Sequence, residues 1–254
     1  MLMYNSKNER HLSELELGFL QTPKALGAFH KPYPFSSYMN DIKDAFDREG
    51  LIVSKEEYVV SKDDNRFFGT LAISPQTTHS NLIESQDWEL LVGVRGSHDQ
   101  RIPRGMAIGS HVFVCSNLMF SGNMSTFATK QTTNIAARLP RLIRDSVARI
   151  PALAELQENK YNQFKERIIT GGDADTLLLD IHRRGGMSAA QLGVAVSEWD
   201  APKYVEHGSY GSSLWRLMNA CTEALKPRGD NANHQIVADR SAIIDQRVSA
   251  FATC

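Results

Sequence analysis

The chain has 254 residues, of which 42% are hydrophobic and 22% charged, with 17 glycines and 9 prolines. That composition excludes a disordered, collagen-like or low-complexity protein. The formal net charge of −1 hides an asymmetry, because residues 95–149 hold 8 basic and only 2 acidic side chains; a polyanion would be drawn to that segment alone.

No apolar run is long enough to span a membrane, and Lys7, Glu9, Arg10 and Glu14 interrupt the apolar residues at the start of the sequence. A signal-peptide core is therefore not expected, and a cytoplasmic protein is. The three cysteines, Cys115, Cys221 and Cys254, show no CxxC spacing, which argues for a reducing compartment rather than a disulfide framework or a structural zinc site.

Residues 1–35 are polar and then punctuated by Pro23, Pro32 and Pro34, which predicts an irregular or only partly helical arm suited to docking on another subunit. A helix follows over 38–49, capped by Ser36 or Ser37, with Met39, Ile42, Ala45 and Phe46 on one face and Gly50 past its end. Leu51-Ile52-Val53 and Glu57-Tyr58-Val59-Val60 read as strand, Lys62-Asp63-Asp64-Asn65 as a hairpin turn, and residues 66–73 as the returning strand. Residues 74–86 are a polar loop. A strand from Trp88 to Arg95 stops at Gly96-Ser97-His98-Asp99, and a second, from Gly105 to Cys115, stops at Ser116-Asn117.

A glycine-containing loop then leads to a helix that starts near Asn134, capped by Thr132 or Thr133. Ile135, Leu139, Leu142, Ile143, Val147 and Ile150 form its apolar stripe, whereas Arg138, Arg141 and Arg144 step along its solvent side, with Pro140 between them. Further helices are predicted over 152–168, over 174–184 with Asp173 as cap, from Ser188 to Trp199, over 212–226 and over 233–251. The expected class is α+β, an antiparallel sheet of four or five strands in the N-terminal half packed against helices of the C-terminal half. The expected division is an arm (1–35), a core domain (36–226) and a C-terminal helix (227–254).

Ser97-His98-Asp99 contains the residue types of a hydrolytic triad, but neighbours in an extended chain point to opposite faces and cannot form the relay. A turn in which Ser97 or Asp99 bonds nearby amides, with His98 packed locally, is the simpler account. Asp173-Ala174-Asp175 has a spacing that could share a hard cation, but its place between a glycine pair and a helix favours capping. The eight histidines show no HxxxH or HExxH pattern, and there is no Walker loop, dinucleotide fingerprint or nucleophile elbow. No cofactor or metal is therefore expected, nor is an enzyme. Cys115 reads as core.

The basic segment is different because cations and aromatics share one supersecondary unit. Arg95, Arg101, Arg104 and Lys130 flank strand ends and loops, and Phe113, Phe120 and Phe127 alternate with small polar residues. Binding of single-stranded nucleic acid needs cations that track phosphates and aromatic faces on which bases stack.

Gly96-Ser97-His98-Asp99, the run from Val112 to Leu118 (VFVCSNL), Thr132 to Leu139 (TTNIAARL) and Leu217 to Glu223 (LMNACTE) resemble, in order, four blocks of the phage/plasmid-like proteins grouped as a domain of unknown function. The departures are Gly96 in place of that family's Asn, Gln100-Arg101 in place of Gly-Ser, and Lys130-Gln131 in place of Arg-His. The last removes a histidine that a catalytic reading would need. Size and charge layout are also similar to phage single-stranded-DNA-binding cofactors that recruit a phage RNA polymerase to melted promoters.

The resulting expectation is a single-stranded DNA-binding protein of a phage or mobile element, acting in transcription, replication or recombination, with a phage RNA polymerase or recombination proteins as candidate partners, and a homo-oligomer. Arg95, Arg101, Arg104, Lys130, Arg138, Arg141 and Arg144 would contact phosphates, with Phe113 and Phe120 as stacking residues. The alternatives are an interaction factor that binds a polymerase without touching DNA, and a magnesium-dependent nuclease or hydrolase acting through Asp99, Asp173 and Asp175.

Overall fold

A computed structural model of the chain describes residues 7–75, 87–112, 117–226 and 234–253, and the side chains of these apart from 75, 111–125 and 234–235. Six strands, β1 (Glu9–Leu12), β2 (Leu51–Ser61), β3 (Arg66–Pro75), β4 (Trp88–Ser97), β5 (Arg104–Val112) and β6 (Asn117–Thr129), form one sheet in sequential order, each antiparallel to the next. Two helices precede most of the sheet, α1 (Glu14–Phe19) and α2 (Phe35–Arg48), and α3 (Ile135–Val147) follows its last strand. The rest is helical, with α4 (Ile150–Glu166), α5 (Gly171–Arg183), α6 (Ala189–Asp200), α7 (Val205–Gly208), α8 (Leu214–Leu225) and α9 (His234–Ala252). The class is α+β.

Strand pairing fixes which residues share a face. Val94 pairs with Gly69 and Met106, and Val92 with Leu71 and Ile108, so Phe67, Leu71 and Ile73 of β3, Leu90, Val92 and Val94 of β4, and Arg104, Met106, Ile108 and Ser110 of β5 point the same way. This face meets the apolar stripes of the helices. On α2 the buried residues Phe35, Tyr38, Met39, Ile42, Ala45 and Phe46 recur at helical spacing, as do Ile135, Leu139 and Ile143 on α3 and Ile150, Ala154, Tyr161 and Phe164 on α4.

Tyr161 sits where α4, α8 and the sheet meet. Its ring lies edge-on to Trp88 at 5.6 Å and 4.9 Å from Trp215, and its hydroxyl shares a 2.5 Å hydrogen bond with the Ser110 hydroxyl. Burial of these aromatics contributes more than any polar contact at this point. The opposite sheet face carries a smaller cluster, Ala72 and Leu91 with Phe68, against which Ala238 of α9 packs. The remainder of α9 joins the helical layer, where Ile244 and Val248 are buried, Lys160 pairs with Asp245 at 2.6 Å and Arg247 with Asp180 at 2.6 Å.

Several local expectations are met by different residues. The predicted cap Asp173 is instead the third residue of α5: Thr170 is the cap, and the Asp173 carboxylate accepts from the Thr170 amide at 3.0 Å and hydroxyl at 2.7 Å in a reciprocal box. Ser188 caps α6 and Ser213 caps α8, whereas α3 starts after Asn134 with no side-chain cap.

Two strands were not expected. Glu9–Leu12, inside the supposed arm, pairs along β2 and ends on the buried Leu12. Residues 117–129, read as a loop from their Ser, Gly and Asn content, are β6, held by a ladder to β5 with irregular register near Ala107; backbone pairing outweighs weak strand propensity. Residues 76–86, most of the expected polar loop, lie outside the described residues, as do Phe113 and Cys115.

Tyr161→Phe should lower stability by about 1–3 kcal/mol, because it strips the buried Ser110 hydroxyl of this partner without opening a cavity. Urea denaturation followed by tryptophan fluorescence checks this, and Ser110→Ala in the same background should add much less than it costs alone.

Candidate functional site

At one end of the sheet β4 turns into β5, and the turn is built from the motif singled out in the sequence. The Ser97 amide donates to the Ile102 carbonyl at 3.0 Å, the Ile102 amide to the Ser97 hydroxyl at 2.9 Å, and the Arg101 amide to an Asp99 oxygen at 3.1 Å. Gln100 takes a left-handed conformation, φ 63°. The other Asp99 oxygen accepts from Arg66 Nε at 3.2 Å, and the His98 amide donates to the Asn65 carbonyl at 2.8 Å, which ties this turn to the β2–β3 hairpin. Ser97, His98 and Asp99 are thus each committed to turn geometry and do not form a relay.

Directly beneath the turn lies Arg104. It is on the core face of β5, fully buried at 0% exposure, with its guanidinium 4.3 Å from the centroid of the Phe35 ring and 5.3 Å from that of Tyr38. Its side chain runs over Gly96: a Cβ there would come within 2.5 Å of Arg104 Cδ, so the glycine in the first motif position is a packing requirement. Arg104 Nη2 donates to the Tyr33 carbonyl and, at 3.4 Å, to Gln131 Oε1. Nε and Nη1 have no hydrogen-bond partner, and no carboxylate pairs with the guanidinium among the described residues. Burial lowers its pKa to about 10, which leaves it charged at neutral pH.

Gln131 joins the strands to the chain that enters α2. Its Oε1 also accepts from the Tyr33 amide at 2.7 Å, its Nε2 donates to the Ser97 carbonyl, and its own carbonyl accepts from the Lys31 amide at 3.1 Å, next to a bridge between His30 and Thr132. The segment 96–99, one motif block, therefore meets residues 130–134, which lead into another, the block at 132–139.

Between the 27–30 segment, the 97–103 turn and residues 130–132 is a cavity of about 480 Å³, lined among others by Phe29, His30, Ser97, Arg101, Lys130 and Gln131 and by no Asp or Glu. Arg101 and Lys130 are exposed, and so is Phe29, at 81%. His30 is buried; its Nδ1 accepts from the Leu26 amide at 3.0 Å, so Nε2 carries the hydrogen, and that N–H has no acceptor. His98 lies 4.2 Å from Phe35 ring to ring, with Nδ1 unpartnered. Burial first, and then the charge of Arg104, pushes the His98 pKa down to about 4, so the imidazole is neutral at physiological pH.

No family model, curated protein or solved structure matches this chain. The site is therefore characterised by its own geometry.

The seven cations expected to contact phosphates do not share one surface. Arg104 is inside the core and cannot reach a nucleic acid. Arg95 is on the opposite sheet face, paired with Phe68 across the strands and 3.8 Å from Asp239 of α9. Arg101 and Lys130 line the cavity, and Arg101 Nε is also 3.8 Å from Asp99 Oδ2, the carboxylate oxygen that Arg66 bonds. Arg138 folds back beside Lys130, donating to the Thr129 hydroxyl at 2.6 Å and the Lys130 carbonyl at 3.1 Å, and Arg141 and Arg144 continue along the exposed side of α3, Arg141 at 3.8 Å from Asp145. Phe113 lies outside the described residues, as does the side chain of Phe120, and Phe127 packs against the core. Phe29 was not singled out from the sequence, and nothing in its polar, proline-punctuated surroundings marks it. Arg104 was readable: strand alternation puts it on the face of Met106 and Ile108.

Of the carboxylates considered for a metal, Asp99 bonds Arg66 and the turn, and Asp173 bonds back to the cap Thr170 as the third residue of α5. Hydrogen bonds from the Thr170 hydroxyl and amide hold the Asp173 pKa below the ordinary value.

The depressed His98 pKa sets a pH dependence. The unfolded chain takes up this proton near pH 6.5 and the folded chain only near 4, so the stability contributed by the neutral ring is present above 6.5 and is lost as pH falls through that window. Against His98→Phe, the wild type should lose up to about 3 kcal/mol between these limits, with parallel curves above pH 6.5, in denaturant titrations at stepped pH.

Proposed function

We propose that the protein binds single-stranded nucleic acid, with the backbone running from the cavity mouth at Arg101 and Lys130 along Arg138, Arg141 and Arg144 on α3. The observation that carries this reading is that two exposed cations line one cavity with an exposed aromatic and no carboxylate. Cations for phosphates and a free ring face for a base are the two requirements of strand binding without sequence preference. The charge of Arg104, set behind the cavity wall and uncompensated by any carboxylate in the described structure, adds to the potential there because its surroundings are dry. Binding does not call for a catalytic group, and the reading is of a non-enzymatic protein. A phage or mobile-element setting is supported by the resemblance of the four sequence blocks; a phage RNA polymerase or recombination protein as partner is supported by the likeness in size and charge layout to phage cofactors, with no shared motif. A homo-oligomer would raise the avidity of so small a cationic track.

A second reading, an interaction factor for a polymerase that leaves DNA untouched, is favoured by a separate observation. Leu15, Phe19 and Leu26 are exposed at 71%, 77% and 66% in the segment leading to Phe29, an apolar strip of the kind used in protein contacts. Ionic strength separates the two. Fluorescence anisotropy with a labelled oligothymidylate should show affinity falling roughly fifty-fold between 50 and 200 mM salt if about four phosphates are engaged. Reversal of Arg138, Arg141 and Arg144 to Glu together should weaken binding by about a hundred-fold or more, while Arg95→Glu, across the sheet, changes it little. Salt-independent binding, or an unaffected triple variant, would refute the track.

A further inference from the structure

We propose that the cavity is an end pocket, holding a terminal nucleotide through its phosphate monoester, with Lys130 and Arg101 on the phosphate and Phe29 stacked on the base. The attachment of that nucleotide to a longer strand rests on the reading above; the pocket itself rests on separate observations.

The first is size. At about 480 Å³, the cavity falls in the range of small-ligand sites and suits a ligand on the order of one nucleotide rather than a length of strand. The second is the set of donors. Arg101 and Lys130 stand at the mouth, and His30, itself a lining residue and 5% exposed, has a buried Nε2 hydrogen with no acceptor. Buried donors are nearly always satisfied in folded proteins, and this one adjoins a cavity that no carboxylate lines. The third is the charge behind the wall. Arg104 holds two unpartnered nitrogens, Nε and Nη1, and Gln131, which bonds Arg104, has its own carbonyl and amide oxygen already occupied by Lys31 and Tyr33. The lining thus offers more donors than acceptors, and the nearby carboxylate, Asp99, lies 3.8 Å from Arg101 Nε but is shared with Arg66 and the turn.

A phosphate monoester matches that imbalance better than the internal diester of a strand. It carries more than one negative charge near neutral pH and three oxygens free to accept, against one charge and two such oxygens in a diester. The additional charge interacts with the same two exposed cations and, more strongly for its dry surroundings, with buried Arg104 behind them. Stacking on Phe29 requires only the π face of a base, so no base preference is implied.

The test compares three fluorescent oligothymidylates of one length by anisotropy, phosphorylated at the 5′ end, at the 3′ end and at neither end, and then competes the tightest of them with thymidine monophosphate, thymidine or inorganic phosphate. Binding at least tenfold tighter for one of the phosphorylated ends, with competition by thymidine monophosphate well ahead of thymidine, is the expected result, and the end that gains identifies the polarity of the strand. Phe29→Ala, at an exposed position that should not disturb folding, and Lys130→Ala should each bring that ratio towards one; His30→Gln, checked by its circular dichroism melt, should do the same. Equal affinity for all ends, with no competition by the mononucleotide, overturns the end pocket and leaves the strand track standing. Binding of thymidine monophosphate with no binding of any oligonucleotide keeps the pocket and removes the strand reading.

Discussion

The guanidinium of Arg104 is the point on which this end of the molecule depends. Removing a charged side chain from water is costly, and the usual compensation is a carboxylate; here the described structure supplies ring faces and neutral oxygens. Phe35 and Tyr38 of α2 lie against it, the Tyr33 carbonyl and Gln131 Oε1 accept from it, and Gly96 makes room for its stem. One side chain therefore fixes the start of α2, two strands, the entry to α3 and the chain before α2 relative to one another. That arrangement is also why the turn at 97–103 and the 130–132 segment face each other across a cavity.

Placing a cation inside the core without a counter-charge has an electrostatic consequence outside it. An ion pair would cancel the field, whereas cation–π contacts and carbonyl dipoles leave the net charge in place. His98 registers that field, since the charge of Arg104 adds to burial in depressing its pKa. The same potential extends into the cavity, whose exposed cations reinforce it. On the proposed reading, structure and binding draw on one feature: the packing that holds the sheet end together also places positive charge beside the cavity.

The motif blocks divide by what they contribute. Gly96-Ser97-His98-Asp99 and the segment from Lys130 to Asn134 build the cavity corner, Ser97 and Asp99 by closing the turn and Gln131 by bonding both Ser97 and Arg104. Leu217, Met218, Ala220 and Cys221 of the last block are instead buried in α8. Burial raises the Cys221 thiol pKa to about 12, so it is a packing residue.

Local patterns determined a good deal of this protein from sequence alone. The stripes of α2, α3 and α8 and the hairpin at 62–65 follow from side-chain periodicity and turn chemistry, which act over a few residues, and with them the α+β class. What only the tertiary structure decided depends on distant partners. Glu9–Leu12 is a strand because β2 offers an edge, and residues 117–129 are a strand because β5 does, against their composition. The basic segment looked like one surface because its charges are close in sequence, but strand alternation sends Arg95 and Arg104 to opposite faces of the sheet while Arg138 stays beside Lys130. Phe29 joins those cations only because residues 30–33 are bonded to Gln131, a hundred positions away in the chain to within a few residues, and no pattern of neighbours can encode a contact of that range.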